Sequence, residues 1–304
     1  MKVVIAGGTG ALGRRLADDL ARRDVDVVVL TRSPRVGIEH RQVVWDGRTP
    51  GDWTAEIEGA AAVVNLAGEL VDRRPTSRNI GLLERSRVEP TLALAEASAR
   101  LATPPALWLQ MSTLAIYGDA GETVIDEQHP PAAGPPQMAG VARAWEHAAQ
   151  GARTGRTVVL RTGIVLDTGT PAFDRLTKLT RRGLGGRIGS GNQWVSWLHI
   201  DDFLRAIRFA LETPALGGIV HLTSANPIRN RDMMATLRSR LHRPWSPPTP
   251  EALVRLGARL LRTDPALALT GRRCVPTRLR QVGFTFSHPT FAEAVDAILA
   301  QPAR

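Results

Sequence analysis

The sequence has few of the residues on which several common chemistries depend. Its 304 residues include one cysteine, Cys274, one tyrosine, Tyr117, and two lysines, Lys2 and Lys178. A single cysteine excludes an intramolecular disulfide and is typical of a reducing compartment. Gly121 stands four residues after Tyr117, so the chain contains no tyrosine with a lysine at that spacing to lower its pKa. Acid–base chemistry that needs such a pair is therefore excluded.

Long apolar runs and blocks of like charge are also missing. No stretch of 18 apolar residues occurs, and the apolar run near the N-terminus reaches glycines too early for a secretory signal. The net charge is +10, but nearly all of the 39 basic residues are scattered arginines without interleaved aromatic residues. We therefore predict a cytoplasmic protein that neither spans a membrane nor binds nucleic acid.

Short apolar runs, in contrast, are abundant, and 43% of the residues are apolar. Six such runs alternate with segments of helical periodicity, as in a parallel sheet that is buried on both faces. The predicted strands are residues 3–6, 25–30, 42–45, 61–66, 106–111 and 158–165. This pattern predicts an α/β fold with a doubly wound parallel sheet, the Rossmann architecture.

The alternation of strands and helices stops near residue 166. The elements beyond it are a glycine-rich stretch (183–191), a helix from about 201, a strand (219–223), a proline-rich segment (244–250) and helical repeats that end near 299. We interpret residues 1–165 as a nucleotide-binding domain and residues 166–304 as a smaller, helix-rich substrate domain. The two are partly interleaved around residues 200–225.

The most specific motif is Gly7-x-x-Gly10-x-x-Gly13, between the first predicted strand and the first helix. Glycines there let the backbone turn sharply and approach a pyrophosphate, while the helix N-terminus offers free N–H donors. About 20 residues later, an NAD-binding chain has an acidic residue for the ribose hydroxyls, but this sequence has Thr31-Arg32-Ser33. An arginine suits a 2′-phosphate, so the pattern favours NADP over NAD.

The carboxyl ends of two further strands carry small or hydroxyl-bearing residues. Leu66-Ala67-Gly68-Glu69 follows the fourth strand, and Ser112-Thr113 ends the fifth. Ligands of open α/β sheets bind at this edge. Both segments are therefore candidates for contact with a nucleotide.

Together these residues resemble the extended short-chain dehydrogenase/reductase superfamily, and more narrowly its atypical "epimerase family" subgroup with a distinctive C-terminal domain. The matching segments are Gly7–Gly13, Leu30–Ser33, Val64–Glu69, Ser86–Val88, Tyr117-Gly118, Trp145-Glu146, Leu160–Leu166, Gly183–Gly186, Gly189–Gly191, Trp197–Asp201, Leu241–Pro244, Val275-Pro276 and Gly283-Phe284. The resemblance implies an NADP-binding Rossmann domain, a small-molecule substrate, and a homodimer of the kind common in the superfamily. It also implies that Thr31, Arg32, Leu66, Ala67 and Arg87 contact the cofactor.

The predicted site combines the motifs with this resemblance. The predicted cofactor-binding residues are Gly7, Thr9, Gly10, Ala11, Leu12, Gly13, Thr31, Arg32, Ser33, Leu66, Ala67, Gly68, Glu69, Arg87 and Ser112. The candidate catalytic residues are Thr113, which would orient a substrate oxygen, and Tyr117, which would donate a proton or pack as a pocket wall.

Most members of the superfamily use a Tyr-x-x-x-Lys pair. Counting back from Glu146 places the two positions at Met138 and Ala142, neither of which can titrate. Three outcomes remain open: an NADP-dependent oxidoreductase or epimerase-like enzyme whose proton passes through Tyr117, a carboxylate such as Glu69, or water; a non-redox isomerase, lyase or cyclase; and an NADP-binding module without catalysis.

Two other segments have structural interpretations. The stretch Gly183–Gly191 lacks the Gly-Lys-Ser/Thr ending of a phosphate loop, and we predict a mobile segment over the substrate pocket, with Trp194 and Trp197 as apolar walls. The acids of His199-Ile-Asp201-Asp202 are expected to cap a helix, and the remaining histidines have no metal-ligand spacing, so no metal site is predicted.

Overall fold

A computed structural model describes residues 1–243 and 245–301. Pro244, which belongs to the proline-rich segment and to one matching motif, lies outside the described residues. The strands are β1 (Lys2–Ala6), β2 (Asp26–Thr31), β3 (Arg41–Val44), β4 (Ala62–Asn65), β5 (Leu107–Thr113), β6 (Val124–Ile125), β7 (Arg156–Thr162), β8 (Ile164–Leu166), β9 (Trp194–Val195), β10 (Trp197–His199), β11 (Gly218–Leu222), β12 (Ile228–Arg229) and β13 (Arg273–Cys274).

Helices cover much of the remaining chain. They are α1 (Ala11–Ala21), α2 (Thr54–Ile57), α3 (Ser77–Arg100), α4 (Val141–Ala148), α5 (Pro171–Arg181), α6 (Ile200–Glu212), α7 (Asn230–Arg240), α8 (Glu251–Leu260), α9 (Ala266–Leu269), α10 (Thr277–Gln281) and α11 (Phe291–Leu299). Short 3₁₀ turns at Leu114–Tyr117 and Ala149–Gly151 and a π-helical turn at Pro136–Gly140 complete the elements. Within residues 1–243 and 245–301, no helix has both the length and the apolarity needed to cross a bilayer.

A seven-stranded parallel sheet forms the centre of the fold, in the order β11-β7-β5-β4-β1-β2-β3. Alternate residues of its strands enter two different apolar clusters: Val3 and Ile5 pack on one face, and Val4 and Ala6 on the other. Burial of both faces explains why the strands read as continuous apolar runs rather than alternating ones. The predicted doubly wound α/β fold is confirmed.

The single strand predicted over 158–165 is in fact two strands. A side chain at Gly163 would put its Cβ 2.7 Å from the carbonyl oxygen of Ser196, so this glycine lets two backbone segments meet. β7 ends there in the central sheet, and β8 turns away to pair with β10. The chain thus passes from the sheet to a second core, formed by Leu166, Phe173, Trp197, Met233, Met234, Leu237, Phe291, Ala294, Val295 and Ile298.

Elements beyond residue 166 also return to the sheet. Phe203 and Ile207 of α6 pack in the same apolar cluster as Val3 and Ile5 of β1, and β11 is the last strand of the sheet. Because β1, β2, β4 and β5 are parallel neighbours, their carboxyl ends lie at one edge of the sheet.

Candidate functional site at the carboxyl edge of the sheet

The glycine loop joins β1 to α1 through two very close approaches. Gly7 has φ +80° and lies against the end of β4, where an added Cβ would be 2.8 Å from the carbonyl carbon of Leu66. A Cβ at Gly13 would be 2.5 Å from the carbonyl oxygen of Gly7. Both positions therefore require glycine for packing of the protein's own backbone. A Cβ at Gly10 would have one close atom among residues 1–243 and 245–301, the Gly7 oxygen at 3.3 Å.

The N-terminus of α1 begins at this loop. Gly10 is the N-cap residue, and within the described parts of the chain no side chain caps the helix. The N–H groups of Ala11, Leu12 and Gly13 thus remain free to donate to an anion, and the helix dipole favours negative charge at this end. The loop and helix fit the pyrophosphate of a dinucleotide.

The end of β2 presents Arg32 toward solvent. Thr31 is buried, and its hydroxyl donates to the carbonyl oxygen of Ser33 (2.9 Å) and accepts from the Ser33 N–H (3.2 Å). This turn leaves the Arg32 side chain 72% exposed, with a carboxylate oxygen of Glu69 at 3.8 Å. Thr31 shapes the turn, and Arg32 is the group available to a phosphate.

The loop after β4 is held by buried amides. Asn65 donates to Thr91 Oγ1 (2.7 Å) and Gln110 Oε1 (3.0 Å), and its side-chain oxygen accepts from the Ala67 N–H. These bonds place Leu66 and Ala67 directly beside Gly7. The two predicted contact segments therefore form one surface.

Arg87 of α3 supports this loop from below. It donates to the carbonyl oxygens of Glu69 (2.8 Å) and Leu83 (3.1 Å), and its guanidinium carbon lies 5.1 Å from the ring centre of Trp145. A Cβ at Gly68 would be 3.1 Å from the Arg87 side chain. Burial lowers the pKa of Arg87 to about 10, so it remains charged at neutral pH. Its contact with a cofactor stays a prediction.

Ser112 points into a buried polar network. Its hydroxyl donates to Glu146 Oε1 (2.5 Å), and Arg161 donates to both oxygens of the same carboxylate (2.9 and 2.8 Å). Ser112 and Arg161 are register partners on β5 and β7, and His221 on β11 is the next partner of Arg161. Three neighbouring strands thus carry one polar layer.

Tyr117 completes this layer. This residue is only 4% exposed, and its hydroxyl oxygen lies 2.6 Å from both Arg161 Nη1 and His221 Nε2. His221 Nδ1 lies 3.0 Å from the carbonyl oxygen of Val275, so Nδ1 carries the proton and Nε2 accepts from the tyrosine. Burial raises the pKa of Tyr117 to about 12 and lowers that of His221 to about 4. This environment favours the packing role that we weighed for Tyr117.

Thr113 lies at the end of β5 and is half-buried. Its hydroxyl oxygen accepts from the Ala115 N–H (3.1 Å) and thereby caps the 3₁₀ turn, which leaves its proton available to a ligand. The positions estimated for the missing pair are apolar here as well, since Ala142 is buried and Met138 is half-buried. Its contact with a substrate stays a prediction.

Three residues of this region received no role from the sequence. Arg161 lies within a matching motif and His221 appears as an isolated histidine, and neither local sequence indicates their meeting with Tyr117. Arg35 also escapes notice, although its guanidinium reaches the carbonyl oxygen of Thr9 at 3.4 Å. The sequence indicates Arg35 only through its position three residues after Arg32, in the same segment that follows β2.

A histidine cluster lies at the start of α6. Ligand atoms of His199, Asp201 and His288 come within 4.8 Å of one another, a proximity that their spacing in the sequence does not indicate. His199 Nδ1, however, accepts from the Asp201 N–H at 3.1 Å, while Asp202 accepts from the N–H groups of Ser287 and His288. The cap of α6 is therefore His199 rather than the two expected acids, and Asp202 instead joins α6 to the segment before α11. The absence of a metal here stays a prediction.

The segment Gly183–Gly191 lies beside only one of the two expected tryptophan walls. Trp194 is half-buried and lines a cavity with Ile188 and Gly189. The expectation for Trp197 is wrong, because this residue is fully buried and its ring packs 5.3 Å from that of Phe291. A strand position in the second core accounts for this difference.

Comparison with known proteins agrees with this architecture. The model of the NAD dependent epimerase/dehydratase family matches residues 3–222, and a domain of unknown function, DUF1731, matches residues 249–298. The chain is 32% identical to the epimerase family protein SDR39U1 of Bos taurus over 99% of this chain and 100% of the relative. It is 31% identical to the chloroplastic SDR39U1 homolog of Arabidopsis thaliana, over 98% and 87%.

A solved structure extends the likeness to three dimensions. The crystal structure of human epimerase family protein SDR39U1 (isoform2) with NADPH superposes with a TM-score of 0.87 at 30% identity, covering 98% of this chain and 99% of that one. The resemblance inferred from the sequence motifs is confirmed. The chain belongs to the NAD dependent epimerase/dehydratase family.

Proposed function

We propose that the chain is an NADP-dependent oxidoreductase or epimerase-like enzyme that acts on a small molecule without a Tyr-x-x-x-Lys pair. The observation that carries the proposal is the juxtaposition of the Gly7–Gly13 loop, the uncapped α1 and the exposed Arg32. The human relative crystallised with NADPH supports the choice of cofactor. Cytoplasmic residence and a homodimer remain parts of this proposal.

The chain's own residues would divide the work. Gly10 to Gly13 would hold the pyrophosphate, Arg32 the 2′-phosphate, and the segment from Leu66 to Glu69 the adjacent part of the nucleotide. When bound, NADP supplies a hydride acceptor or donor. Thr113 would donate a hydrogen bond to the substrate oxygen, and water would exchange the proton, because Tyr117 is committed to Arg161 and His221.

The buried Tyr117 also supports a second candidate, an NADP-binding module without catalysis. A buried hydroxyl with a raised pKa is a poor proton donor at neutral pH. A non-redox isomerase, lyase or cyclase on the same fold is the remaining alternative. Incubation of candidate substrates with NADPH carrying deuterium at C4 separates the redox candidate from the other two, because only a redox reaction transfers the label to a product. A product without label then indicates a non-redox enzyme, and no product at all indicates a binding module.

The Arg32→Ala variant is expected to bind NADPH roughly tenfold to 100-fold more weakly, the effect of losing one charge-assisted hydrogen bond to phosphate. Binding of NADH, which has no 2′-phosphate, is expected to stay as it is. Calorimetric titration with both cofactors measures the two affinities. Equal losses for NADPH and NADH would contradict the role of Arg32.

The Thr113→Val variant is expected to lower turnover of a substrate found by the label experiment by roughly tenfold to 100-fold, since the substrate oxygen loses its donor. NADPH affinity is expected to be retained, because the hydroxyl acts on the substrate. Steady-state kinetics and titration measure both effects. Thr236→Val removes a hydroxyl on the exposed side of α7 and serves as the control. Similar losses of turnover in both variants would contradict the role proposed for Thr113.

A further inference from the structure

The segment between β2 and β3 carries a second guanidinium at the nucleotide edge. Arg35 Nη1 donates to the carbonyl oxygen of Thr9 at 3.4 Å, so its charged group lies over the Gly7–Gly10 loop. Arg32 extends from the same segment, three residues earlier, where β2 ends. Two cations from one short segment thus lie at the edge where the adenosine half of a dinucleotide belongs.

The backbone of Arg35 is held by a neighbouring strand. The side-chain oxygen of Gln42 on β3 accepts from the Arg35 N–H (2.8 Å), and its amide nitrogen donates to the Arg35 carbonyl oxygen (2.9 Å). The same nitrogen lies 3.4 Å from the carbonyl oxygen of Ile38. A side-chain amide that bonds both the backbone N–H and the carbonyl oxygen of one residue fixes the direction in which the side chain of that residue extends.

The two arginines differ in the charges around them. Arg32 has Glu69 at 3.8 Å, and Glu69 is shared with Arg73 at 3.1 Å. Arg35 has no carboxylate within 4.0 Å among residues 1–243 and 245–301. A free guanidinium next to a phosphate-binding loop is ready to bind an anion without first breaking an ion pair.

We propose that Arg35 binds the 2′-phosphate of NADP together with Arg32, and that Gln42 is the positioning residue that aims it. The proposal rests on the proposed function and deepens it, because it assigns the preference for NADP to two guanidiniums rather than one. Arg35 gains its role from a contact with Thr9 across 26 positions of sequence, not from a motif.

Calorimetric titration of the full chain with NADPH and NADH tests the role of Arg35. Arg35→Ala is expected to weaken NADPH binding roughly tenfold or more and to leave NADH binding within about twofold. Arg41→Ala is the matched control, because it also removes one guanidinium. Arg41 is the first residue of β3 and pairs with Glu56. Arg35→Lys, which retains the charge but not the fork of donors, is expected to recover part of the loss.

The role of Gln42 is tested by a double-mutant cycle with Arg35. Gln42→Met keeps the size of the side chain and removes its hydrogen bonds, so it is expected to weaken NADPH binding by roughly threefold to tenfold in the native background. In the Arg35→Ala background it is expected to have no further effect. Equal weakening of NADH, or full additivity of the two substitutions, would show that Gln42 only supports the fold.

The outcomes separate this inference from the proposed function. If the native chain binds NADPH no more tightly than NADH, the proposed cofactor fails. If the native chain prefers NADPH and Arg32→Ala loses that preference while Arg35→Ala keeps it, only the inference about Arg35 is overturned.

Discussion

Replacing Gly7 with alanine is expected to lower the free energy of unfolding by about 3 kcal/mol and to abolish NADPH binding. Alanine at φ +80° is strained, and its Cβ would stand 2.8 Å from both the carbonyl carbon and the oxygen of Leu66. Because these are backbone atoms next to a buried strand end, they cannot move aside as a flexible side chain would. Urea unfolding and calorimetric titration measure the two losses.

A second glycine, Gly37, separates the effect of backbone strain from the effect of the contact with Leu66. Gly37 has φ +82°, but a Cβ there would meet no atom of residues 1–243 or 245–301 within 4 Å. Gly37→Ala therefore carries the backbone strain alone, about 1 kcal/mol. The excess loss in Gly7→Ala reports the contact with Leu66. Equal destabilisation of the two variants would mean that the approach of β1 to β4 is not close enough to require glycine.

Acidification from pH 7 to pH 4 is expected to destabilise the protein through its buried histidines. Burial lowers the pKa of His221 to about 4, whereas the unfolded chain takes up the proton near pH 6.5. The unfolded state thus binds more protons in this window, and His221 alone removes about 3 kcal/mol of stability as the pH falls through it. Burial also lowers the pKa of His199, which adds a loss of the same sign.

Comparison of variants isolates this effect from other titrating groups. Burial raises the pKa of Glu127 and Asp167, whose contributions oppose those of the histidines. His221→Gln is expected to be less stable at pH 7 but to lose less stability between pH 6.5 and pH 4. His147→Gln removes an exposed imidazole from α4 and serves as the control. Urea unfolding across the range would contradict the prediction if His221→Gln kept the native slope.

The nucleotide side of the site is readable from the sequence because each part of it is local. Gly7, Gly10 and Gly13 stand within one loop and helix start, and Arg32 directly follows its strand. The geometry of a strand, a turn and a helix then determines where these groups meet. The same locality makes the parallel sheet predictable, since burial of both faces leaves a continuous apolar run in each strand.

The polar layer around Tyr117 could not be predicted in this way, because its contacts join distant parts of the chain. The hydroxyl of Tyr117 meets Arg161 and His221, which are 44 and 104 residues away. No local sequence pattern encodes these contacts, and the residues around His221 do not indicate a role for it. The division at Gly163 is hidden for the same reason, since it depends on the approach of Ser196.

The position estimated for the lysine of a Tyr-x-x-x-Lys pair is packed among apolar side chains. Ala142, where the lysine would stand, is buried in one apolar cluster with Leu114, Ile116 and Tyr117. A lysine at this position would bring an ammonium group into this apolar cluster, whose Tyr117 already accepts from Arg161. Met138→Tyr combined with Ala142→Lys would therefore not by itself supply such a relay, because the lysine would have to displace the apolar side chains of this cluster.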